Sequence, residues 1–533
     1  MKKKIDNYFG ITKMGSSFKT EIMAGIVSFA AISYIMTLNP QAMQGFASNQ
    51  RTSALLVATI IGAILGTLIV ALYAKLPFVQ APGMGLNTLV GSILAGGASS
   101  LLFENIMAII FVSGLVFILL STLPVGRDPD GKLIRIREKI FDSIPKELTT
   151  AIGTGIGLFI AFVGLKNAGV ITSDFGTLVT LVDFSSYTPE VVGSITCLIG
   201  LVLIVVLSHF KVTGSVLIGI VASTIIAGLL SIPLGDKGLL NYDMLAGNGG
   251  VSWKFWESFS SFFSFDKDSG AFGLFVKGFS FPAGSFVEII GLIIAFSMVN
   301  IFDTIGSVMA LGQITKDSGV GSLIGPDGKP VRYNRALLSD ASSTVAGAMI
   351  GTSNVVIYIE SGAGIVQGGR TGFTGVVAAF LFVLSLFVLP IFAFIPTAAV
   401  ASVLVYVGVL MVGHVADINF KDIRCAAPAF VTIIAMPLSY SIVNGIGLGV
   451  ITFVLVSSLC WIVEKCKGDT ATATSSDNIT LEQNTENQDF VNQDFISEDI
   501  QNKTETTLDQ KTKFPSITAI IISLAFVLYF VLG

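Results

Sequence analysis

The run Leu76-Pro77-Phe78-Val79-Gln80-Ala81-Pro82-Gly83-Met84-Gly85-Leu86-Asn87 sets two prolines and two glycines into an otherwise apolar stretch. That density of breakers does not suit a continuous helix, so the run reads as a short extended piece that turns into a half-helix. Residues 354–364, Asn-Val-Val-Ile-Tyr-Ile-Glu-Ser-Gly-Ala-Gly, repeat the grammar, with β-branched residues first and glycines where the backbone must turn. Broken backbone at membrane depth survives only where it is buried in protein or lines a cavity. Half-helix N-termini there bring N–H groups and positive dipole ends to the midplane, where a polar substrate can sit. Either glycine cluster alone would also fit a close helix crossing with no ligand; two at matched positions favour a site.

Outward from these breaks the chain is apolar throughout. Of its 533 residues 52% are hydrophobic and only 12% charged, about half the charge of a soluble protein, and the mean hydropathy is +0.81. The fold class is an all-α polytopic membrane protein. Apolar runs mark fourteen segments, roughly 21–40, 52–73, 78–98, 104–122, 147–165, 190–208, 214–232, 286–310, 337–350, 355–368, 373–394, 396–412, 424–440 and 443–463. With a cytoplasmic N-terminus, most of the 31 Lys and Arg fall on the inside, while the outside holds Arg51, Lys166 and those of the 233–285 loop. The run after Glu21 lacks a cleavage site and reads as a retained first helix.

A net charge of −4 gives no footprint for nucleic acid. Cys197, Cys425, Cys460 and Cys466 show no metal or disulfide spacing, and His209 and His414 are the only histidines, so no metal and no cofactor is expected. Residues 464–514 turn acidic and rich in Asn, Gln and Thr, which reads as a disordered cytoplasmic segment whose Asn478 and Asn502 glycosylation matches are chance. The apolar run 515–533 could span once more.

Two related halves are visible. Ile144-Pro145 before a helix with Gly153, Gly155 and Gly157 recurs as Ile395-Pro396 before one with Gly408 and Gly413. Seven segments on each side of the 233–285 loop give the halves opposite orientations, the inverted repeat of an alternating-access transporter with broken segments 3 and 10.

The eighth segment carries Ser297, Asn300, Asp303, Thr304 and Ser307 at helical spacing, one polar stripe on an apolar helix. An aspartate near mid-span costs about 2.5–3.5 kcal/mol to insert and so signals function by default; Glu360 is the second such acid. Each could instead be a cap or a structural acceptor. Glu21, Glu104, Glu288 and Asp340 lie near segment ends, where a solvated charge is expected. A carboxylate can take adjacent ring and exocyclic N–H groups of a neutral heterocycle, or a proton. Tyr358, two residues before Glu360 on an extended piece, shares its side and could stack on a flat base or line a helix interface.

Phe18-Lys-Thr-Glu21-Ile-Met-Ala-Gly25, Tyr34-Ile-Met-Thr-Leu-Asn39-Pro40, Ala81-Pro-Gly-Met-Gly-Leu-Asn87, Phe302-Asp303-Thr-Ile-Gly306, and Glu360-Ser-Gly-Ala-Gly with Gly368-Gly-Arg370-Thr-Gly372 resemble the azaguanine-type purine permeases of the nucleobase:cation symporter-2 superfamily, over about residues 8–465. The resemblance implies two inverted repeats of seven spans. After a cytoplasmic stretch 1–20, residues 21–122 and 286–395 would form a substrate-binding core (spans 1–4 and 8–11), and 147–232 and 396–463 a gate (spans 5–7 and 12–14). It implies plasma-membrane uptake of hypoxanthine, guanine or adenine by cation symport, the proton being the usual partner. The substrate site would comprise Glu360, Asp303, Tyr358, Ser361, Asn87, Gly85 and Thr304, with Asp303 and Glu360 also coupling the ion. Partners are then the purine, the cation and membrane lipid, with homo-oligomerisation open. Asn87-Thr88-Leu89-Val90 and Gly306-Ser307-Val308 depart from the family pattern, which bears on substrate choice. The rival on the same architecture is an anion transporter of the sulfate or bicarbonate type, against which two buried acids argue. An intramembrane aspartyl protease lacks its second aspartate, and a channel fits broken half-helices less well.

Overall fold

The computed structural model describes residues 2–43, 51–95, 101–127, 133–135, 145–174, 178–210, 212, 215–240, 253–264, 270–282, 284–317, 332–474 and 514–532. Among them nine helices are long and apolar enough to cross a bilayer, and Glu288–Ile301 and Ile423–Leu438 are shorter apolar helices. Four helices, α1 (Lys2–Phe9), α2 (Phe18–Ile32), α3 (Ile35–Met43) and α4 (Thr52–Ile69), lead to strand β1 (Gln80–Pro82), then α5 (Met84–Ala95) and α6 (Phe103–Thr122). Short hairpins, β2 (Pro124–Arg127) with β3 (Leu133–Arg135) and β4 (Ile171–Asp174) with β5 (Leu178–Leu181), flank α7 (Lys146–Asn167); α8 (Pro189–His209) and α9 (Ser215–Ser231) follow. After α10 (Phe255–Phe262) come α11 (Phe286–Asp317), α12 (Tyr333–Ile350), strand β6 (Val355–Ile357), α13 (Ser361–Val366), α14 (Gly372–Ser385), α15 (Leu389–Phe394), α16 (Thr397–Val412), α17 (Ile423–Leu438), α18 (Ile442–Thr474) and α19 (Ile517–Leu532).

Local chemistry sets the starts. Ser17 caps α2 by accepting the Thr20 N–H, and Thr188 caps α8 by accepting that of Val191, with Pro189 at the first helical position where no N–H is needed. Helix contacts then fall into two sets: α6 with α11 and α12, α4 with α12 and α14, and α2 with α13 and α14; and, separately, α7 with α16 and α17, α17 with α18, and α8 with α9 and α16. Small residues permit the closest approaches, as expected where lipid supplies no hydrophobic drive between helices. Gly157 of α7 and Gly408 of α16 touch: a Cβ on Gly408 would lie 2.6 Å from the Gly157 carbonyl oxygen. The outward faces are apolar, with Val202 of α8 61% exposed and Leu229 of α9 63%, which suits lipid and not water.

Three features depart from the sequence reading. The first segment, expected as one helix over 21–40, switches to i→i+3 bonding at Ser33-Tyr34, where Met36 and Thr37 N–H groups reach back to Ser33 and Tyr34 carbonyls. The 233–285 loop holds folded pieces: α10 packs on α4, and the 3₁₀ turn Leu274–Phe279 packs on α6, with the Asn105 amide donating to the Gly278 carbonyl at 2.8 Å. The segment expected to be disordered from 464 begins as helix, because α18 continues to Thr474 through a run without proline; residues 475–513 lie outside the described residues.

Candidate functional site

The two broken pieces find each other. β1 and β6 pair antiparallel, Gln80 opposite Ile357, Ala81 opposite Val356 and Pro82 opposite Val355. The ladder extends symmetrically past both ends: Gly83 N–H donates to the Asn354 carbonyl at 2.8 Å, and Tyr358 N–H donates to the Val79 carbonyl at 3.1 Å. Each extended piece thereby satisfies the other's backbone, which lets non-helical chain be buried inside the protein. Glycine lets the pair seat on α4, since a Cβ on Gly66 would overlap the Val355 side chain. The Thr67 hydroxyl donates to the Gln80 carbonyl at 2.9 Å and accepts its N–H at 3.0 Å.

A second support comes from Asp340, and here the sequence reading was wrong. Its carboxylate is fully buried two turns inside α12, not solvated at a segment end. It accepts the Ile357 N–H at 2.8 Å, the Gln80 amide at 3.3 Å and the Thr304 hydroxyl, tying both strands to α11. The Ser343 hydroxyl completes the set by donating to Gln80 Oε1 at 2.6 Å. Glu21 is likewise buried, accepting the Arg370 and Thr371 N–H groups and the Thr371 and Thr374 hydroxyls, so it fastens α2 to the start of α14. Glu104 is buried as well, while Glu288 is half-buried. A polar residue in a small-residue helix such as Ser339-Asp340-Ala341-Ser342-Ser343 was the available signal.

Glu360 stands just before α13, half-buried, without capping it; one of its oxygens accepts the Tyr34 hydroxyl at 2.9 Å instead. Tyr34 stands at the break between α2 and α3, a partner the sequence reading quoted in a motif but gave no role. Asp303 is half-buried on α11, which packs against α13, the short helix that Glu360 precedes. Among the described residues no hydrogen bond occupies the oxygens of Asp303. Tyr358 is buried, with its hydroxyl donating to the Pro82 carbonyl across the strands.

Other expected site residues are committed to structure. The single Thr304 hydroxyl proton is shared between Asp340 and the Asn300 carbonyl. Ser361 accepts the Val79 N–H at 3.0 Å and donates to the Val79 carbonyl at 3.3 Å. The first N–H groups of α13 turn back on Tyr358, Ile359 and Glu360 carbonyls, so that short half-helix does not present them freely. Asn87, buried in α5, accepts the Ser353 hydroxyl, and Gly85 lies in the first turn of the same helix. The arrangement offers two carboxylates, one of them with both oxygens unused, beside a braced strand crossing. Among the described residues no group of His, Cys, Asp and Glu could hold a metal ion.

The profile described as the Permease family matches residues 19–448. Adenine permease AdeQ of Escherichia coli (strain K12) is 34% identical over 85% of this chain and 90% of its own length. Guanine/hypoxanthine permease PbuO of Bacillus subtilis (strain 168) is 34% identical over 84% of this chain and 94% of its own. Among solved structures, the transmembrane domain of the cyanobacterial bicarbonate transporter BicA superposes with a TM-score of 0.53 at 17% identity, covering 81% of this chain and 97% of that one. SLC26A9 superposes at 0.54 and 13% identity, covering 86% and 69%.

Proposed function

The chain belongs to the permease family, as a multi-pass membrane permease of the nucleobase:cation symporter-2 type and not an enzyme, and from that premise we propose that it takes up purine nucleobases by cation symport, with the proton as coupling ion. Hypoxanthine, guanine and adenine are the substrate set, which the names of the relatives AdeQ and PbuO support. The observation that carries the reading is the pair of acids beside the β1–β6 crossing, Glu360 just after β6 and Asp303 on α11, which packs on β6 and α13; each is able to accept N–H donors of a flat base. In this proposal the chain sits in the cell membrane with a cytoplasmic N-terminus and fourteen spans in two inverted sevens. Residues 21–122 and 286–395 form a core that moves against a gate of 147–232 and 396–463, alternating access to the site. The two contact sets of helices support that division.

Glu360 holds the base and Asp303 shares its charge between base and ion. Substrate on one and proton on the other then favour the same occluded state, which symport requires. Tyr358, Ser361, Asn87, Gly85 and Thr304 shape the site around them. The fold shared with the bicarbonate transporter BicA supports a second reading, anion transport; two adjacent carboxylates would repel an anion, so the purine reading is preferred.

Glu360→Gln tests it. Gln keeps the shape but replaces one acceptor oxygen with a donor, leaving a substrate N–H unmet; uptake of labelled hypoxanthine or guanine should fall by about 100-fold or more, with a normal monodisperse profile in detergent. Wild-type uptake at wild-type affinity in that variant would remove Glu360 from the site.

A further inference from the structure

The first membrane segment brings a side chain to Glu360. Helix α2 ends at Ile32 and α3 begins at Ile35. Tyr34 stands in the interval, where the Met36 and Thr37 N–H groups reach back three residues to the Ser33 and Tyr34 carbonyls. Its ring is packed in the apolar core, the residue being 2% exposed, and its hydroxyl donates to Glu360 Oε1 at 2.9 Å. Both flanks of this break are fixed. On the α2 side, Ser28 packs so closely on Gly364 of α13 that a Cβ there would overlap the Ser28 hydroxyl oxygen. On the α3 side, the Asn39 amide donates to the Thr59 hydroxyl oxygen of α4 at 2.6 Å and to that of Thr352, ahead of β6, at 2.9 Å. The fold therefore holds the phenol, and the phenol holds Glu360, a half-buried side chain with three torsions of its own.

That contact bears on how the acid meets a ligand. An ionised carboxylate offers about four lone-pair sites on its two oxygens. Tyr34 takes one of them and restrains rotation of the carboxyl group, so the sites that stay open face a set direction. Two parallel N–H···O bonds to a flat base need the carboxylate in the plane of that base. A freely rotating acid gives up its torsional freedom when the base binds, whereas an acid already fixed does not.

Resting on the purine reading above, we propose that Tyr34 is a positioning residue for substrate, acting on the base through Glu360 by holding the acid in its accepting orientation before the base arrives. The first segment then belongs to the binding site as a third broken element beside segments 3 and 10. The hydroxyl is the whole of the device. Phe in its place keeps the ring and its packing, and the oxygen released on half-buried Glu360 is within reach of water. Removing the hydroxyl thus frees the acid to rotate without stranding a buried polar group.

Kinetics of labelled hypoxanthine uptake in cells lacking their own purine carriers, with equilibrium binding of hypoxanthine to the purified protein, test this. Tyr34→Phe should raise KM and Kd by about 3- to 10-fold, the cost of ordering one long side chain on binding. It should leave kcat within about twofold and the melting temperature of the substrate-free protein within about 2 °C of wild type. In Glu360→Ala the phenol has no acid to hold, so adding Tyr34→Phe should alter residual uptake by less than about twofold. An unchanged KM, a loss carried by kcat or by a melting temperature several degrees lower, or a further tenfold loss in the Glu360→Ala background overturns the positioning role while leaving purine transport standing. Failure of the wild-type protein to take up or bind any purine overturns the purine reading and this role with it. The single variant decides the matter even if Glu360→Ala carries no measurable uptake.

Discussion

Asp303 and Thr304 are neighbours on α11 with different duties. The Thr304 hydroxyl is held by Asp340, while the oxygens of Asp303 carry no hydrogen bond among the described residues. Asp303→Asn imitates the protonated acid. It should keep base exchange in preloaded vesicles but lose uphill accumulation and its dependence on external pH, with little change in melting temperature. An Asn variant that still concentrates substrate with the wild-type pH profile assigns coupling to another group. Asp340 behaves in the opposite way, because it accepts a backbone N–H, an amide and a hydroxyl in full burial. Asp340→Asn turns one acceptor into a donor facing a donor, and each unmet group costs about 1–3 kcal/mol. Its melting temperature should fall by several degrees along with uptake; an unaltered melting temperature would show that the crossing does not depend on this strut. Of the two acids, sequence alone marked Asp303, since its polar stripe has helical spacing. It misplaced Asp340, because distance from a segment end says nothing of what packs beside it.

At the scale of elements, the strand–half-helix breaks were legible because proline, glycine and β-branched residues each restrict the backbone locally. That the two breaks pair with one another, and in which register, is a contact between residues some 275 positions apart and has no local signature. The C-terminal helix α19 makes the same point. The run 515–533 is apolar on every side, so the sequence allowed a span but gave no seat for it. In the fold it packs on α18 and α11, with Phe514 against Trp461 at 5.0 Å between ring centroids and Phe526 and Phe530 over Gly447. A Cβ at Gly447 would already lie 2.7 Å from Phe526 Cδ1. Gly447→Leu should therefore lift α19 and lower the melting temperature by a few degrees, and removing residues 514–533 in that background should add little, since the contact is already lost. Equal melting temperatures for wild type and Gly447→Leu would argue against this seat.

At the scale of the whole molecule, the acidic stretch 475–512 differs in composition from the apolar helices on either side of it. The family profile ends at residue 448, and α18 runs on to Thr474. Deleting 475–512 and joining the flanks should leave transport rates largely unchanged, because a chain so polar cannot bury enough apolar surface to brace either set of helices; collapse of uptake at normal membrane abundance would show that the segment regulates or supports the carrier. Composition and hydropathy by themselves determined that the chain is a multi-pass helical membrane protein, and its breakers and motifs located the crossing and the two acids. Those features act through neighbours in sequence or through the bilayer, which treats each apolar run alike. The tertiary structure decided which polar groups are committed and which are unused: Asp340 and Glu21 as buried fasteners, Tyr34 on Glu360, and Asp303 with no hydrogen bond to its oxygens among the described residues. Hydrogen-bond partners in a packed core are chosen by proximity among distant segments, and only the folded chain specifies that proximity.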